Sequence, residues 1–267
     1  MPDDFEVKVH RQIERLATGN YRALEREVAE KRLAWFKHNR RDPSGPIELS
    51  PRSAYEVLFF DYMGLARDEL PVVAETETEI VWLSLNRCPT LAACQALGLD
   101  TRQVCRAVYE RSTQALVSQL DPQLRFLRSY AEIRPYAAHC RERIVRIDFE
   151  RMLAFAAEEA HASVPDGKPG HGAVVALGNR IVGRAHDLAV SEQGPDLHAE
   201  VSAIRQAVHT LGDANLSGAI LFSTDEPCPT CSSLAVESNL TAIVYGASKL
   251  EATIHEIFAT QHRLTDH

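Results

Sequence analysis

The stretch His198-Ala-Glu-Val-Ser-Ala-Ile-Arg-Gln-Ala-Val-His-Thr-Leu211, with Gly218-Ala-Ile-Leu-Phe-Ser-Thr-Asp-Glu-Pro-Cys-Pro-Thr-Cys231 behind it, decides the reading of this chain. Leu197–Leu211 carries apolar residues at helical spacing. Gly218–Thr224 is a short apolar run, which reads as a buried strand, and Cys228–Ser238 reads as a second helix. Working outward, Asp148–Ser163 is an amphipathic helix. Gly172–Leu177 and Arg180–His186 are strands about the turn signal Gly178-Asn179. Ala242–Gly246 is a further strand and Ser248–Thr260 a closing helix. The order α-β-β-α-β-α-β-α predicts parallel pairing in a sheet covered by helices.

The same stretch predicts chemistry. Two thiols three residues apart at a helix start, Cys228 and Cys231, lie on one face and suit one metal ion. The helix N-terminus favours their thiolate form. Pro227 precedes the first of them, where a missing amide hydrogen has no consequence. His198, at the start of the other helix, is the candidate third ligand. One His and two Cys leave the fourth tetrahedral position of Zn2+ open, the mark of a catalytic rather than a structural zinc. Such an ion makes hydroxide available near neutral pH. Glu200, two residues past His198, is the candidate catalytic proton carrier and not a ligand.

The pattern H-x-E followed by P-C-x-x-C is that of zinc nucleobase deaminases. Residues 149–260 resemble the cytidine deaminase-like superfamily, in the branch holding guanine, fungal-type cytosine and tRNA adenosine deaminases. The matching pieces are His171-Gly-Ala-Val-Val175, His198-Ala-Glu200, Leu221-Phe-Ser-Thr224 and Glu226-Pro-Cys-Pro-Thr-Cys231. The resemblance implies a three-layer α/β/α domain with a five-stranded mixed sheet, commonly dimeric. The sequence offers four strands, so the fifth is expected beyond Ser248 or is missing. The resemblance also implies substrate contacts at Val174, Ala199 and Phe258, the last on a helix closing the site with His255. Family members often end the preceding strand in Gly-His-Asn, where Asn holds the substrate. Here the run is Ala185-His186-Asp187. An ionised Asp only accepts hydrogen bonds. Asp187 is therefore expected to select a ring that presents an N–H or amino group. The other reading of Asp187 is a strand-end residue that caps a loop.

Charge separates the chain into halves. The formal net charge is -8 over 267 residues. Residues 152–267 hold 6 basic and 14 acidic residues, whereas residues 1–151 hold 23 of each. A boundary near 150 follows, with a helix-rich α+β domain over 1–147 and the deaminase-like domain over 148–267. An acidic zinc domain is poorly suited to phosphate backbone. No segment reads as a membrane span or a signal peptide, and six cysteines are too few for a disulfide scaffold. A cytoplasmic protein without nucleic-acid or membrane partners is expected.

In the first half, residues 5–40 read as helix with a break at Gly19-Asn20, and Ser50-Pro51 as a helix start running to about Met63. Leu70–Ala74, Glu79–Leu85 and Leu124–Tyr130 are strand candidates, and Arg134–Cys140 a weaker one. Thr90–Leu97 and Thr101–Leu120 are helix candidates. Cys88, Cys94, Cys105 and Cys140 lack a C-x2-C pair; they are expected to pack as small apolar side chains, with a second metal site the alternative. The run Arg125, Arg128, Arg134, Arg141, Arg143, Arg146 is interleaved with Glu132, Glu142 and Asp148 and reads as a solvated, ion-paired surface. Cys88-Pro-Thr-Leu-Ala-Ala-Cys94, Asp100-Thr-Arg-Gln-Val-Cys105, Asp121-Pro-Gln-Leu-Arg-Phe126 and Arg134-Pro135 resemble the L-2-amino-thiazoline-4-carboxylate hydrolase-like family over about 50–145. That resemblance implies a small-molecule domain, or a scaffold shaping the neighbouring site. The function expected for the whole chain is zinc-dependent hydrolytic deamination of a small amino-substituted heterocycle: a free nucleobase, a pterin or a triazine. The alternatives are tRNA or nucleic-acid editing and a non-catalytic zinc-bearing sensor or assembly module.

Overall fold

The chain divides into two units, Met1–Arg146 and Ile147–His267. The computed structural model describes residues 4–39, 50–162, 170–187, 198–246 and the backbone of 253–256. In the first unit the long helical stretch resolves into α1 (Asp4–Ala17) and α2 (Tyr21–Asn39). They part at Gly19, whose φ of 67° an L side chain rarely adopts. Ser50 caps α3 (Pro51–Glu56), accepting from the Ser53 amide at 3.1 Å, and Pro51 opens the helix. The helix then widens into a π turn over Val57–Tyr62. After β1 (Val72–Glu75) and β2 (Glu79–Ser84) come α4 (Pro89–Leu97), α5 (Thr101–Val104), a π turn over Cys105–Glu110 and α6 (Arg111–Leu120).

Strands β3 (Leu124–Arg128) and β4 (Cys140–Arg146) complete an antiparallel sheet in the order β1-β2-β4-β3. Sequence placed the weak strand at Arg134–Cys140, but the strand begins where that segment ends. The alternation of β4 is masked because one of its inward residues is charged. Glu142 is 4% exposed and accepts from Trp82 Nε1 at 3.1 Å, Ser84 Oγ at 2.7 Å and Arg128 Nε at 2.7 Å. The arginine run is ion-paired, as with Arg143 to Glu79 and Arg146 to Asp121. It is not uniformly solvated, since Arg125 is wholly buried. Against the sheet, Tyr55, Phe59, Trp82 and Phe126 form an aromatic core, with Trp82 5.1 Å from both Tyr55 and Phe59, tilted against the first and edge-on to the second.

The second unit runs α7 (Phe149–Ala162), β5 (Gly172–Leu177), β6 (Arg180–His186), α8 (Ala199–Leu211), β7 (Ala219–Ser223), α9 (Pro229–Glu237), β8 (Ala242–Tyr245) and β9 (Thr253–Glu256). The sheet order is β6-β5-β7-β8-β9. The fifth strand does lie beyond Ser248, where the sequence reading also put a closing helix. β9 pairs antiparallel with β8, Tyr245 opposite Thr253 and Ala242 opposite Glu256. A free strand edge outcompetes a weak helical period there, because strand formation follows context more than local preference. Among the described residues, parallel pairing is confined to β7 and β8, which α9 joins as a crossover. The β5–β6 and β5–β7 pairs are antiparallel.

Helices cover both faces. Ala173, Val175 and Leu221 pack with Ala199, Ala203 and Ile204 of α8 and Ala235 of α9. On the opposite face, Phe222 meets Phe149 of α7 edge-on at 5.3 Å. Two glycines set the spacing. A Cβ at Gly172 would stand 2.0 Å from Ala156 O of α7, and one at Gly183 would stand 2.1 Å from Ala203 O of α8. Both contacts are with backbone, so neither yields locally. Gly183→Ala is therefore expected to destabilise the protein by about 1–3 kcal/mol through overpacking. Urea denaturation followed by far-UV circular dichroism checks this, and an unchanged midpoint would refute it.

Candidate metal centre and active site

Each candidate ligand stands at a helix start. His198 is the N-cap of α8 with extended backbone, φ −64° and ψ 146°. Cys228 is the N-cap of α9 with φ −63° and ψ 165°, and Pro229 occupies the first turn. Cys231 follows in that same turn. The helix ends bring about +0.5 elementary charge each, which favours thiolate over thiol. The ligand atoms converge: His198 Nδ1 lies 3.6 Å from Cys228 Sγ and 3.4 Å from Cys231 Sγ, and the two sulfurs are 3.5 Å apart. A tetrahedral zinc with ordinary bond lengths spaces two sulfurs by about 3.8 Å, and sulfur from nitrogen by about 3.5 Å. The donor set and its spacing fit zinc. Among the described residues it is the sole cluster of three metal-ligating groups. Cys88, Cys94, Cys105 and Cys140 form none.

Glu200 sits in the first turn of α8 and is 5% exposed. Its Oε1 accepts from Ser223 Oγ at 2.9 Å, and its Oε2 lies 3.7 Å from Cys231 Sγ. One oxygen is thus anchored while the other faces the ligand set. Cys231 is fully buried, and burial pushes its thiol up, helped by the nearby Glu200 and Cys228. A cation held between these groups relieves that cost, because metal binding displaces the thiol proton. Ser223 belongs to the Leu221–Thr224 motif but received no role from sequence. No spacing rule ties a strand-end serine to a helix carboxylate; only the register that lays β7 beside the start of α8 does so.

Asp187 directly follows β6 and has a definite partner. Its Oδ1 accepts from the Ala199 amide at 2.7 Å, and its own amide donates to His171 O at 3.1 Å. It ties the strand end to the residue between His198 and Glu200. Ala199 itself is fully buried, its side chain packed with the α8 face of the sheet. Val174 is also fully buried, but it pairs with Phe222 on the α7 face. The structure therefore does not bring Val174 to the cluster, since side chains alternate along β5. Phe258 and the segment 188–197 lie outside the described residues. His171 Nδ1 lies 3.0 Å from an Asp225 carboxylate oxygen and His186 Nδ1 2.8 Å from one of Glu159, so both imidazoles are hydrogen-bonded to carboxylates at the sheet end.

Residues 139–247 match the cytidine and deoxycytidylate deaminase zinc-binding region. The match gives no support to the N-terminal resemblance. The chain is 39% identical over 98 residues to the tRNA-specific adenosine deaminase of Bacillus subtilis (strain 168), covering 37% of this chain and 61% of that one. It is 32% identical over 103 residues to guanine deaminase of the same organism, covering 39% and 64%. The X-ray structure of guanine deaminase from Bacillus subtilis aligns with 37% of this chain and 61% of its own, at a TM-score of 0.32 and 32% identity. The chain thus spans less than two thirds of the length of these curated relatives. The ligand atoms of His198, Cys228 and Cys231 lie within 4.8 Å of one another, and the family match spans all three residues, so the second unit is similar to the cytidine and deoxycytidylate deaminase zinc-binding region.

Proposed function

We propose that the second unit hydrolyses the exocyclic amine of a small amino-substituted heterocycle, a free nucleobase or an analogue, and releases ammonia. The observation that carries this reading is the buried Glu200 carboxylate. It is anchored by Ser223 through one oxygen and presents the other beside Cys231. His198, Cys228 and Cys231 would hold zinc, which when bound would supply a Lewis acid that makes water nucleophilic near neutral pH. Glu200 takes the proton from the water that attacks the amino-bearing ring carbon. It passes that proton to the ring nitrogen, then carries the proton of the newly added hydroxyl to the amine, so ammonia leaves and a carbonyl remains. The anchored Oε1 keeps the carboxylate in one rotamer, so the transferring oxygen needs no search. Asp187, beside Ala199, offers its second oxygen as an acceptor and favours a ring bearing an N–H or amino group.

Small neutral or cationic rings suit the charge of this unit, since the whole net charge of -8 falls in residues 152–267. Editing of tRNA is the second reading, and the 39% identity to a tRNA-specific adenosine deaminase favours it. Ammonia release measured on guanine, cytosine, adenine, an aminopterin and an aminotriazine, alongside a tRNA pool, separates the two. Turnover of a free ring is expected. Turnover of tRNA alone, with binding that weakens steeply in salt, would overturn the small-molecule reading.

Three substitutions test the roles. Glu200→Gln is expected to lower turnover by roughly 10²–10⁴-fold with zinc content unchanged. Ser223→Ala is expected to lower kcat by roughly tenfold with KM nearly constant, the loss of one hydrogen bond to a charged group. A Ser223→Ala variant as active as the parent would exclude the anchoring role. Asp187→Asn is expected to reorder the substrate panel, and an unaltered ranking would remove Asp187 from recognition.

A further inference from the structure

The first unit holds a cavity of about 650 Å³ with no part in the deamination reading, and every residue lining it belongs to that unit. Its volume suits a small organic molecule. One wall is apolar and includes Phe59 and Phe126. Among the charged lining residues cations prevail: seven Lys or Arg side chains against two carboxylates, Glu27 and Glu142. Both carboxylates are already committed, Glu27 to Arg15 at 2.9 Å and Glu142 to Arg128.

Three of the arginines have donors without acceptors. Arg32 is 7% exposed. Its Nη1 donates to Ser112 and Thr113 at 2.8 and 2.7 Å, both neutral hydroxyls, while its buried Nε has no partner. Buried Arg128 Nη1 and Arg134 Nε are likewise unsatisfied. Burial holds the Arg32 guanidinium below its ordinary value; the phenols of Tyr62 and Tyr109 oppose this and Arg128 adds to it. Among the described residues no carboxylate forms an ion pair with Arg32. A buried guanidinium without a counterion is costly, and a buried donor without an acceptor adds to that cost. An oxyanion in the cavity meets both demands, since guanidinium forks match carboxylate and phosphate geometry. The thiols here suit a wall better than a nucleophile: burial pushes Cys88 up and Cys105 up to about 12.

We propose that this cavity binds a small organic anion, its carboxylate or phosphate head held by Arg32 with Arg128 and Arg134, and its apolar body against Phe59 and Phe126. This goes beyond the deamination reading and does not depend on it.

Isothermal titration and thermal shift on the full chain test it, with benzoate, phenyl phosphate and indole-3-acetate as probes, and benzyl alcohol and benzylamine as neutral and cationic controls. Saturable binding of at least one anion is expected, with at least a roughly tenfold preference over both controls. The ranking of benzoate against phenyl phosphate identifies the head group. Arg32→Met is expected to abolish the anion response while leaving the unliganded protein as stable or more so. If Arg32→Met does not fold, Arg32→Lys, which keeps the charge and loses the fork, is expected to weaken binding by roughly tenfold. No response to any anion, equal response to benzylamine, or an anion response that survives both substitutions would overturn the proposal.

Discussion

Two helix N-termini meeting at the end of one strand are the constraint on which the second unit depends. His198 and Cys228 are both N-caps, so their backbones have left the helical region and their side chains turn toward each other across the end of β7. Cys231 and Glu200 follow within one turn, buried, 3.7 Å apart. Without a cation, burial pushes the Cys231 thiol up, and the neighbouring Glu200 and Cys228 push it the same way. With a divalent ion the same crowding becomes favourable. The close approach of α8 to the sheet at Gly183 holds that arrangement, because any wider spacing would move His198 and Glu200 away from Ser223.

Much of this was legible in the sequence because the decisive residues are local to each other. An N-cap, a Cys three residues on, and a His-x-Glu at a helix start are short-range facts. The helices, the β5–β6 hairpin and β7 follow from periods that one face imposes. What escaped is long-range. β9 is a strand because β8 offers it an edge, and nothing within Thr253–Glu256 says so. The start of β4 was hidden by Glu142, a charge that reads as surface and is instead the acceptor for Trp82, Ser84 and Arg128. Val174 sits among motif residues, but the alternation of β5 turns it to the α7 face. Ser223 gained its role only through a contact across 23 residues.

Charge illustrates how a sum conceals placement. The first half is neutral overall, yet its cavity gathers cations while its acids lie elsewhere or are paired within the wall. The interleaved arginine run looked like ordinary solvated surface. Two of its members, Arg128 and Arg134, instead line that cavity with donors unsatisfied. Alternation of sign along a chain says little about alternation in space once the chain becomes a strand, because residues two apart share a face.

In the second half the sum is itself informative. The deamination proposed for His198, Glu200, Cys228 and Cys231 would be the same for a free base and for a base within a nucleic acid, so identity over these motifs does not discriminate between the two substrates. What differs is the approach. A polyanion meets the unit's excess of acidic side chains over its whole contact surface, within a screening length of about 8 Å at physiological salt. A neutral ring meets only the pocket. Selection for either substrate therefore acts on the charge outside the motif, not on the motif, and the excess of 14 acidic over 6 basic residues in 152–267 is the sequence feature that favours the small ring.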